Sequence, residues 1–394
     1  MRTLNSAARA VLHERRPAAW CWEAVVTAVC DGEANWDANA ATAQAGPAVS
    51  GHADLIAESL GGLLDGFVRA SGHSIAVLAL ALAGMGDVRA LPALRRLAKD
   101  GGLPHDRARA RIVAALPAEE LLPALLPGLR EEPARSHAST FALELLAAWG
   151  PAAAPAVPEV TGYLGSPHTY DALRVLGRIG PPAFGAADRL AAYATGRAPG
   201  AGRHHPRLAA WAHWRVTGDD TLALDVCGAA VRSGGSGHGL PFLADLGPAA
   251  TAHADTVREL MESPGAWTRV AAAYAYWRIT GDPEPAIAVL SAEVDPTWTG
   301  RPALPTEEAV LRLGEIGAPA ASVAPLLRRI LAGGERLVHP FAGVRILADE
   351  TYVRTLTGAL ERIDPDGSTV ASRLPGVVDP GPALGGGLRR WWAR

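Results

Sequence analysis

Aromatic side chains near aspartates are the residues of this chain whose spacing best suits a binding or catalytic site. The sequence Trp-Arg-Val/Ile-Thr-Gly-Asp occurs twice, ending at Asp219 and at Asp282. A second ring precedes each tryptophan by three residues, so helical spacing puts both rings on one face. The pairs are Trp211 with Trp214 and Tyr274 with Trp277. Rings and a carboxylate in this arrangement could hold a base or another planar ligand.

The same residues also have a structural interpretation, and the duplication favours it. A tryptophan near the end of a helix is a large core residue, and an aspartate after a turn glycine caps the next helix. A catalytic site is needed once, whereas a packing solution is reused in every copy of a repeat. We therefore predict no catalytic residue and keep an aromatic and carboxylate site within residues 203–302 as the alternative.

Several classes of enzyme are excluded by the residues that the chain lacks. Lys99 is the only lysine and lies at the end of a helical segment, so the chain has no Walker A loop, kinase lysine or Schiff-base lysine. Cys21, Cys30 and Cys227 have no zinc-binding spacing and make a poor disulfide framework. We expect no cofactor, no metal and a reducing, cytoplasmic environment.

A short phrase recurs along the chain and predicts its organisation. It consists of an apolar helix end, a glycine, and then proline, aspartate or alanine, as in LGRIGP and WRITGD. The turn glycines are Gly86, Gly150, Gly180, Gly218, Gly247, Gly281 and Gly317. Glycine in the left-handed conformation ends a helix well, and aspartate or proline begins one well. Successive turn glycines lie 29 to 38 residues apart, except that Gly86 and Gly150 are 64 residues, or two units, apart, with a degenerate turn near Leu116 between them. Such a period is typical of stacked helix pairs.

The phrases LGRIGPPAFGAADRLAAY, WRITGDPEPAIAVL and LGEIGAPAASVAPLLRRIL resemble HEAT repeats, especially the short bacterial subtype called PBS-lyase HEAT-like. The resemblance covers about three quarters of the chain and implies an all-α, armadillo-like α-solenoid. It implies no single function, because the same solenoid serves scaffolds, phycobilin lyase subunits and an alkylpurine DNA glycosylase family.

The predicted architecture has three parts. Residues 1–70 form a helical N-terminal cap, residues 71–364 form a solenoid of about nine HEAT-like helix pairs, and residues 365–394 form an irregular tail rich in proline and glycine. The ninth pair, residues 337–364, lacks a turn glycine, and we expect LADET at Leu347 in its place. Terminal repeats are commonly atypical because one of their faces meets water.

Histidines recur at the predicted start of the first helix in successive pairs. They are His73, His105, His137, His168, His205 and His238. Stacked repeats would align them along one edge, either as a partner-binding surface or as a habit of packing at the turn. Neighbouring helices lie about 8 to 10 Å apart, which is too far for the histidines of adjacent repeats to share a zinc ion. A helix N-terminus disfavours imidazolium, so we expect these histidines to titrate below about 6.5.

The tail ends in a basic and aromatic segment that contains Arg389, Arg390, Trp391 and Trp392. Tryptophan suits interfaces and arginine suits phosphates and carboxylates, so the segment could dock on an anionic partner or a membrane surface. It could equally fold back and cover the exposed face of the last repeat.

The net charge of the chain indicates which class of partner it binds. A formal net charge of −3 disfavours nucleic acid, which needs a basic face, and contact with a membrane is expected only through the tail. We therefore predict a cytoplasmic, non-catalytic scaffold or adaptor that binds a protein along the concave face of the solenoid. The alternative is a HEAT-like enzyme, glycosylase-like or phycobilin lyase-like, that uses the aromatic residues of 203–302.

Overall fold

Helix is the regular secondary structure throughout the part of the chain that the structure describes. The computed structural model describes residues 2–66, 72–100, 102–103, 107–131, 137–198, 205–233, 237–300, 304–338 and 342–366. Within those ranges the β-type pairing is limited to an isolated antiparallel bridge between Glu14 and Glu335. The predicted all-α class is confirmed, and the helices divide between two compact units.

The first unit comprises Met1–Ala186 together with Gly334–Ala348. Its α-helices are α1 (Arg2–His13), α2 (Ala19–Cys30), α3 (Trp36–Thr42), α4 (Ala53–Leu64), α5 (Gly72–Gly84), α6 (Leu91–Lys99), α7 (Arg107–Val113), α8 (Ala118–Glu131), α9 (His137–Trp149), α10 (Val157–Gly162) and α11 (Thr169–Ile179). Short 3-10 helices occur at Gly46–His52, Val88–Ala90, Gly150–Ala156 and Pro181–Ala186.

The second unit comprises Ala187–Gly333 and the chain from Asp349 onward, as far as it is described. Its α-helices are α12 (Ala187–Ala194), α13 (Pro206–Thr217), α14 (Thr221–Arg232), α15 (Leu240–Leu246), α16 (Ala254–Leu260), α17 (Ala266–Thr280), α18 (Glu284–Ala292), α19 (Thr306–Ile316), α20 (Ala324–Leu331) and most of α21 (Ala342–Ile363). Its 3-10 helices are Gly247–His253 and Ala318–Val323.

Three of the predicted turns have the sequence Gly-Asp and share two features, although a short 3-10 helix, Val88–Ala90, follows only the first of them. Their glycines have positive φ, 73° at Gly86, 82° at Gly218 and 78° at Gly281. The aspartate after each glycine accepts a hydrogen bond from the backbone N–H two residues further on. Because side chains other than glycine rarely adopt positive φ, glycine ends one helix here and aspartate begins the next, as predicted.

In a second kind of turn, proline or alanine follows the glycine and a 3-10 helix precedes the next α-helix. The glycines of these Gly-Pro/Ala turns are Gly46 (φ 48°), Gly150 (57°), Gly180 (74°), Gly247 (60°) and Gly317 (77°). Positive φ is thus confirmed at all seven predicted turn glycines. Gly46 is an additional turn of this kind, inside the segment predicted as the N-terminal cap.

The two kinds of turn differ in ψ. The angle is −142° at Gly180 and −138° at Gly317, close to a region that glycine alone occupies. It is −9° at Gly218 and −3° at Gly281, in the left-handed helical region. The residue after the glycine therefore marks two backbone conformations and not one.

Four of the five glycines in the Gly-Pro/Ala turns lie against the end of another helix. The distances from a Cβ built on the glycine to that helix's carbonyl oxygen are 3.2 Å for Gly46 and Gly84, 3.3 Å for Gly150 and Arg178, 3.5 Å for Gly247 and Arg278, and 3.5 Å for Gly317 and Arg362. The same close approach between a turn glycine and a helix end therefore recurs along the chain.

Close packing of backbones continues into the helix interiors. A Cβ built on Gly314 of α19 would lie 2.7 Å from the Cα of Ala359 on α21, so only glycine fits there. Alanine and leucine supply most of the buried side chains in both units. Small residues let helix axes approach, and the leucines then fill the space between them.

A late segment of the chain packs on the N-terminal helices within the first unit. The Arg336 N–H donates to the His13 carbonyl oxygen at 2.8 Å, and the Arg15 N–H donates to the Gly334 carbonyl oxygen at 2.8 Å. Ile346 is fully buried in the same apolar core as the helices of residues 2–60. The segment therefore covers part of the N-terminal helices.

The end of the repeated region departs from its predicted structure. Residues 337–364 were expected to form a helix pair with a turn at Leu347, and that expectation is wrong, because α21 runs without interruption from Ala342 to Ile363. Neither glycine nor proline lies between Gly343 and Gly358, so nothing in the sequence ends the helix.

One helical stretch, Ser139–Gly162, is long and apolar enough to cross a membrane by length and composition alone. Gly150, with φ of 57°, and Pro151 divide it between α9 and α10. Of its most apolar window, 56% is buried inside the first unit. Packing within that unit accounts for its apolar composition.

Candidate functional site

The two copies of Trp-Arg-Val/Ile-Thr-Gly-Asp form the same structure at the ends of α13 and α17. The threonine hydroxyl donates to the carbonyl oxygen four residues earlier, at 2.8 Å in both copies. It also accepts the N–H of the aspartate, at 3.1 Å in both. The glycine N–H donates to the tryptophan carbonyl oxygen, at 2.7 and 2.8 Å. Each copy is thus a complete helix ending.

Each of the two aspartates lies two residues before the first residue of the next helix. Asp219 accepts the Thr221 N–H at 3.0 Å, and Asp282 accepts the Glu284 N–H at 3.2 Å. Hydrogen bonds from the hydroxyl and the N–H of Thr221 hold the pKa of Asp219 below its ordinary value. These carboxylates therefore have the geometry of helix caps.

Trp211 is a buried core residue with a satisfied ring nitrogen. Its side chain is 1% exposed, and its Nε1 donates to Oδ2 of Asp245 on α15 at 2.9 Å. The ring of Phe242 lies next to it, with centroids 6.0 Å apart. A buried tryptophan needs a partner for its N–H, and Asp245 supplies one.

Tyr274 lies in a buried charged cluster that extends onto α19. The guanidinium of Arg312 lies 3.8 Å from the centroid of the Tyr274 ring, a cation–π geometry. The same arginine is paired with Glu308 at 2.7 Å and with Glu315 at 2.8 Å. Burial raises the pKa of Tyr274 to about 12. Burial alone would lower the pKa of Arg312, but the two glutamates outweigh it and keep that pKa above its ordinary value.

Trp214 and Trp277 are half-buried and carry an arginine over the ring. The Arg215 guanidinium carbon lies 5.7 Å from the Trp214 centroid, and that of Arg278 lies 6.0 Å from the Trp277 centroid. Tyr274 and Trp277 contact each other, with centroids 5.9 Å apart. The α13 pair and the α17 pair are separated by α15, which packs against both helices.

The predicted histidines lie at helix starts wherever the structure describes them. His73 is the second residue of α5, His137 is the first of α9, His168 and His205 immediately precede α11 and α13, and His238 lies two residues before α15. The helix-start prediction is confirmed at these five positions. Their alignment along one edge stays a prediction.

The side chains of His168 and His205 do not act as helix caps. Neither His168 nor His205 donates or accepts a capping hydrogen bond. The His168 ring packs edge-on against Tyr163, with centroids 5.9 Å apart. For His238, burial and then the charge of Arg207 lower the pKa. The direction agrees with the expectation, but burial is the main cause and not the helix dipole.

His73 belongs to an exposed aromatic pair that the sequence analysis missed. Its ring is stacked on Trp36 of α3, with centroids 6.0 Å apart and an interplanar angle of 10°. Trp36 is 67% exposed. The side chain of Asn35, the residue before Trp36, accepts the Ala38 N–H at 2.8 Å and so caps α3. This cap fixes the position of Trp36 at the start of the helix. Apart from the number of tryptophans, nothing in the sequence indicates an exposed ring of this kind.

Some candidate positions lie outside the described residues. His105 and the tail residues Arg389, Arg390, Trp391 and Trp392 are among them. The side chain of His137 is likewise not described. The interpretations of these residues therefore stay predictions.

A second buried charged cluster, in the first unit, was also missed. Arg174 of α11 is paired with Glu144 of α9 at 2.5 Å and with Asp171 at 3.3 Å. All three side chains are at least nine-tenths buried. Charged residues in the middle of a helix are usually solvated, so the sequence offers no signal that these three pair inside the fold.

A groove and a void in the described part of the chain contain no predicted site residue. A shallow groove of about 360 Å³ lies on α2 near Trp20, and a small apolar void of about 10 Å³ lies around Phe141. Among the described residues, no group of three or more histidine, cysteine, aspartate or glutamate side chains could hold a metal ion.

Comparison of the chain with known protein families and with curated proteins finds no match. The resemblance to HEAT repeats therefore depends on the repeated phrases. The recurrent turn geometry is compatible with that resemblance.

Proposed function

We propose that this protein is a non-catalytic adaptor of the HEAT-like type, which binds a protein partner through exposed side chains at the starts of its helices. Two features support a stack of repeats: the recurring turns, and the recurring approach of a turn glycine to the end of another helix. Solenoids of helix pairs present extended surfaces on which partners dock.

The stacked pair of Trp36 and His73 carries the proposal. Trp36 leaves two thirds of its surface to solvent, and the imidazole holds its ring in one orientation. Large, pre-ordered aromatic side chains are the residues that contribute most to binding at protein interfaces. His73 is one of the predicted partner-binding histidines.

A protein is the partner class that the chain composition favours. The net charge of −3 disfavours nucleic acid, and the cysteine usage suits the cytoplasm. The enzyme alternative would use Trp211, Tyr274 and a neighbouring carboxylate. Burial of both rings and the capping bonds of Asp219 and Asp282 support the structural interpretation of those residues instead.

The test compares cross-linked partners of the full chain with those of two variants. In the first, Trp36→Ala is combined with His73→Ala; in the control, Phe184→Ala removes another exposed aromatic, 66% exposed, from the same unit. We expect partners captured by the wild type and by Phe184→Ala to be lost at least about tenfold from the double variant, the size of an interface hot spot. Equal capture by all three chains would refute the proposal.

A further inference from the structure

The outer face of α2 forms a groove of about 360 Å³ that no other described element covers. The opposite face of this helix is anchored in the core through Trp22, Val25, Val26 and Val29. Helical periodicity then places Trp20, Ala24 and Ala28 on the outer face, where they form an apolar stripe that lines the groove. Trp20 is 49% exposed.

Three carboxylates flank this stripe. Glu23, Asp31 and Glu33 line the same groove, and none of them forms an ion pair with a described residue. Other glutamates of the same unit are paired, as Glu159 is with Arg130 at 2.7 Å. The groove therefore combines an apolar floor with negative charge that the described fold does not neutralise.

We propose that this groove binds an arginine-rich, extended segment of a partner protein. Arginine fits both features: its planar guanidinium stacks on an indole ring and donates paired hydrogen bonds to carboxylates, which lysine does less well. From Trp20 to Asp31 the helix rises about 16 Å, the length of about five extended residues. A short peptide can thus contact Trp20 and the carboxylates together.

This inference rests on the proposed function, to which it adds a second docking face and the chemistry of what docks there. The two faces can be tested separately, because Trp36 and His73 do not line the groove. Failure of the peptide described below to bind the wild-type chain, with capture through Trp36 and His73 retained, would overturn this inference and leave the proposed function intact.

The experiment measures binding of a fluorescein-labelled peptide, Gly-Arg-Leu-Arg-Ala-Arg-Leu-Gly, to the full chain by fluorescence anisotropy at low salt. Peptides with lysine or glutamine in place of arginine are measured in parallel. We expect the arginine peptide to bind severalfold more tightly than the lysine peptide, and the glutamine peptide to bind at least about tenfold more weakly. Trp20→Ala is expected to remove the preference for arginine over lysine.

A charge-matched pair of triple variants locates the site. Glu23→Gln with Asp31→Asn and Glu33→Gln should weaken binding at least about tenfold. The control, Glu58→Gln with Asp65→Asn and Glu119→Gln, removes the same charge elsewhere in the unit and should stay within about twofold. Circular dichroism verifies that each variant is folded.

Three results would overturn the proposal. The arginine peptide fails to bind the wild-type chain, or both triple variants weaken it equally, which would show a diffuse charge effect. The third is tight binding only after residues 386–394 are deleted, because the basic tail of the chain itself would then be the occupant.

Discussion

The Gly-Asp turns and the Gly-Pro/Ala turns both connect two helices, but the glycine has a different ψ in each kind. In Gly-Asp turns the space around the glycine is open: a Cβ on Gly218 or Gly281 would meet no atom within 4 Å. In four of the five Gly-Pro/Ala turns the glycine faces the end of another helix, and a Cβ on Gly317 would lie 3.5 Å from the Arg362 carbonyl oxygen. The glycine of the first kind therefore has no close neighbour, whereas that of the second packs against another helix.

The backbone conformation of the turn correlates with the residue that follows the glycine. Aspartate caps the next helix directly and leaves the glycine in the left-handed helical region, with ψ of −3° at Gly281. Proline or alanine cannot cap with a side chain, and ψ is −138° at Gly317. Asparagine tolerates the first conformation far better than the second.

The largest effect is expected from Gly317→Asn. Asparagine would be forced into a region that only glycine occupies readily, at a cost of about 2 to 3 kcal/mol in the free energy of unfolding. For a unit of this size that lowers the melting temperature by about 2 to 4 °C per kcal/mol. Thermal denaturation followed by circular dichroism measures this loss. An unchanged melting temperature would contradict the difference between the two kinds of turn.

A smaller loss is expected when a Gly-Asp turn loses its cap. Asp282→Ala removes the acceptor of the Glu284 N–H and should cost about 1 kcal/mol. Asp282→Asn is the control, since an amide oxygen accepts the same hydrogen bond and should keep most of the stability. Equal losses in the two variants would show that the side-chain oxygen does not cap α18.

Gly281→Asn should have a smaller effect still. Its positive φ and near-zero ψ suit asparagine, and no neighbour is close to the added Cβ, so the loss should stay below about 1 kcal/mol. Gly281→Val, with a branched side chain in the same conformation, should cost about 1 to 3 kcal/mol. If asparagine proved as costly as valine, the left-handed turn at this position would be refuted.

The smallest effect is a pH dependence at Asp219. Hydrogen bonds from Thr221 lower the pKa of Asp219 in the folded state, so its stabilising contribution is present above the unfolded value of about 3.9. That contribution is lost as the pH falls through the lower folded-state pKa. The difference in melting temperature between the wild type and Asp219→Asn should therefore be larger at pH 7 than at pH 3. A difference independent of pH would contradict the capping role.

Turns were the part of the fold most accessible from the sequence. In a helical chain, glycine before aspartate or proline marks the end of one helix and the start of the next, so positive φ could be assigned at Gly86 and Gly180 alike. Gly46 was missed because the alanine-rich segment before it lacks the bulky apolar ending of the other phrases. The continuity of α21 was missed because the repeat period was extended beyond Gly317, the last turn glycine, into residues 337–364.

The candidate site was less accessible. Sequence spacing placed Trp211 and Tyr274 on helices. It could not show that Asp245 accepts the Trp211 ring N–H or that Arg312 lies over the Tyr274 ring, because both contacts join residues of different helices. The exposure of Trp36 depends on the packing of α3 and was equally invisible. Trp20 could have been found, because the core period of Trp22, Val25 and Val29 leaves it on the opposite face.

The most direct test of this account is the melting temperature of asparagine variants at five turns distributed along the chain. The turns are Gly180, Gly247 and Gly317 of the Gly-Pro/Ala kind, and Gly218 and Gly281 of the Gly-Asp kind. The account predicts that the three former variants melt several degrees below the two latter, whatever their position in the chain. Losses that follow position along the chain, or that are equal in both groups, would contradict it.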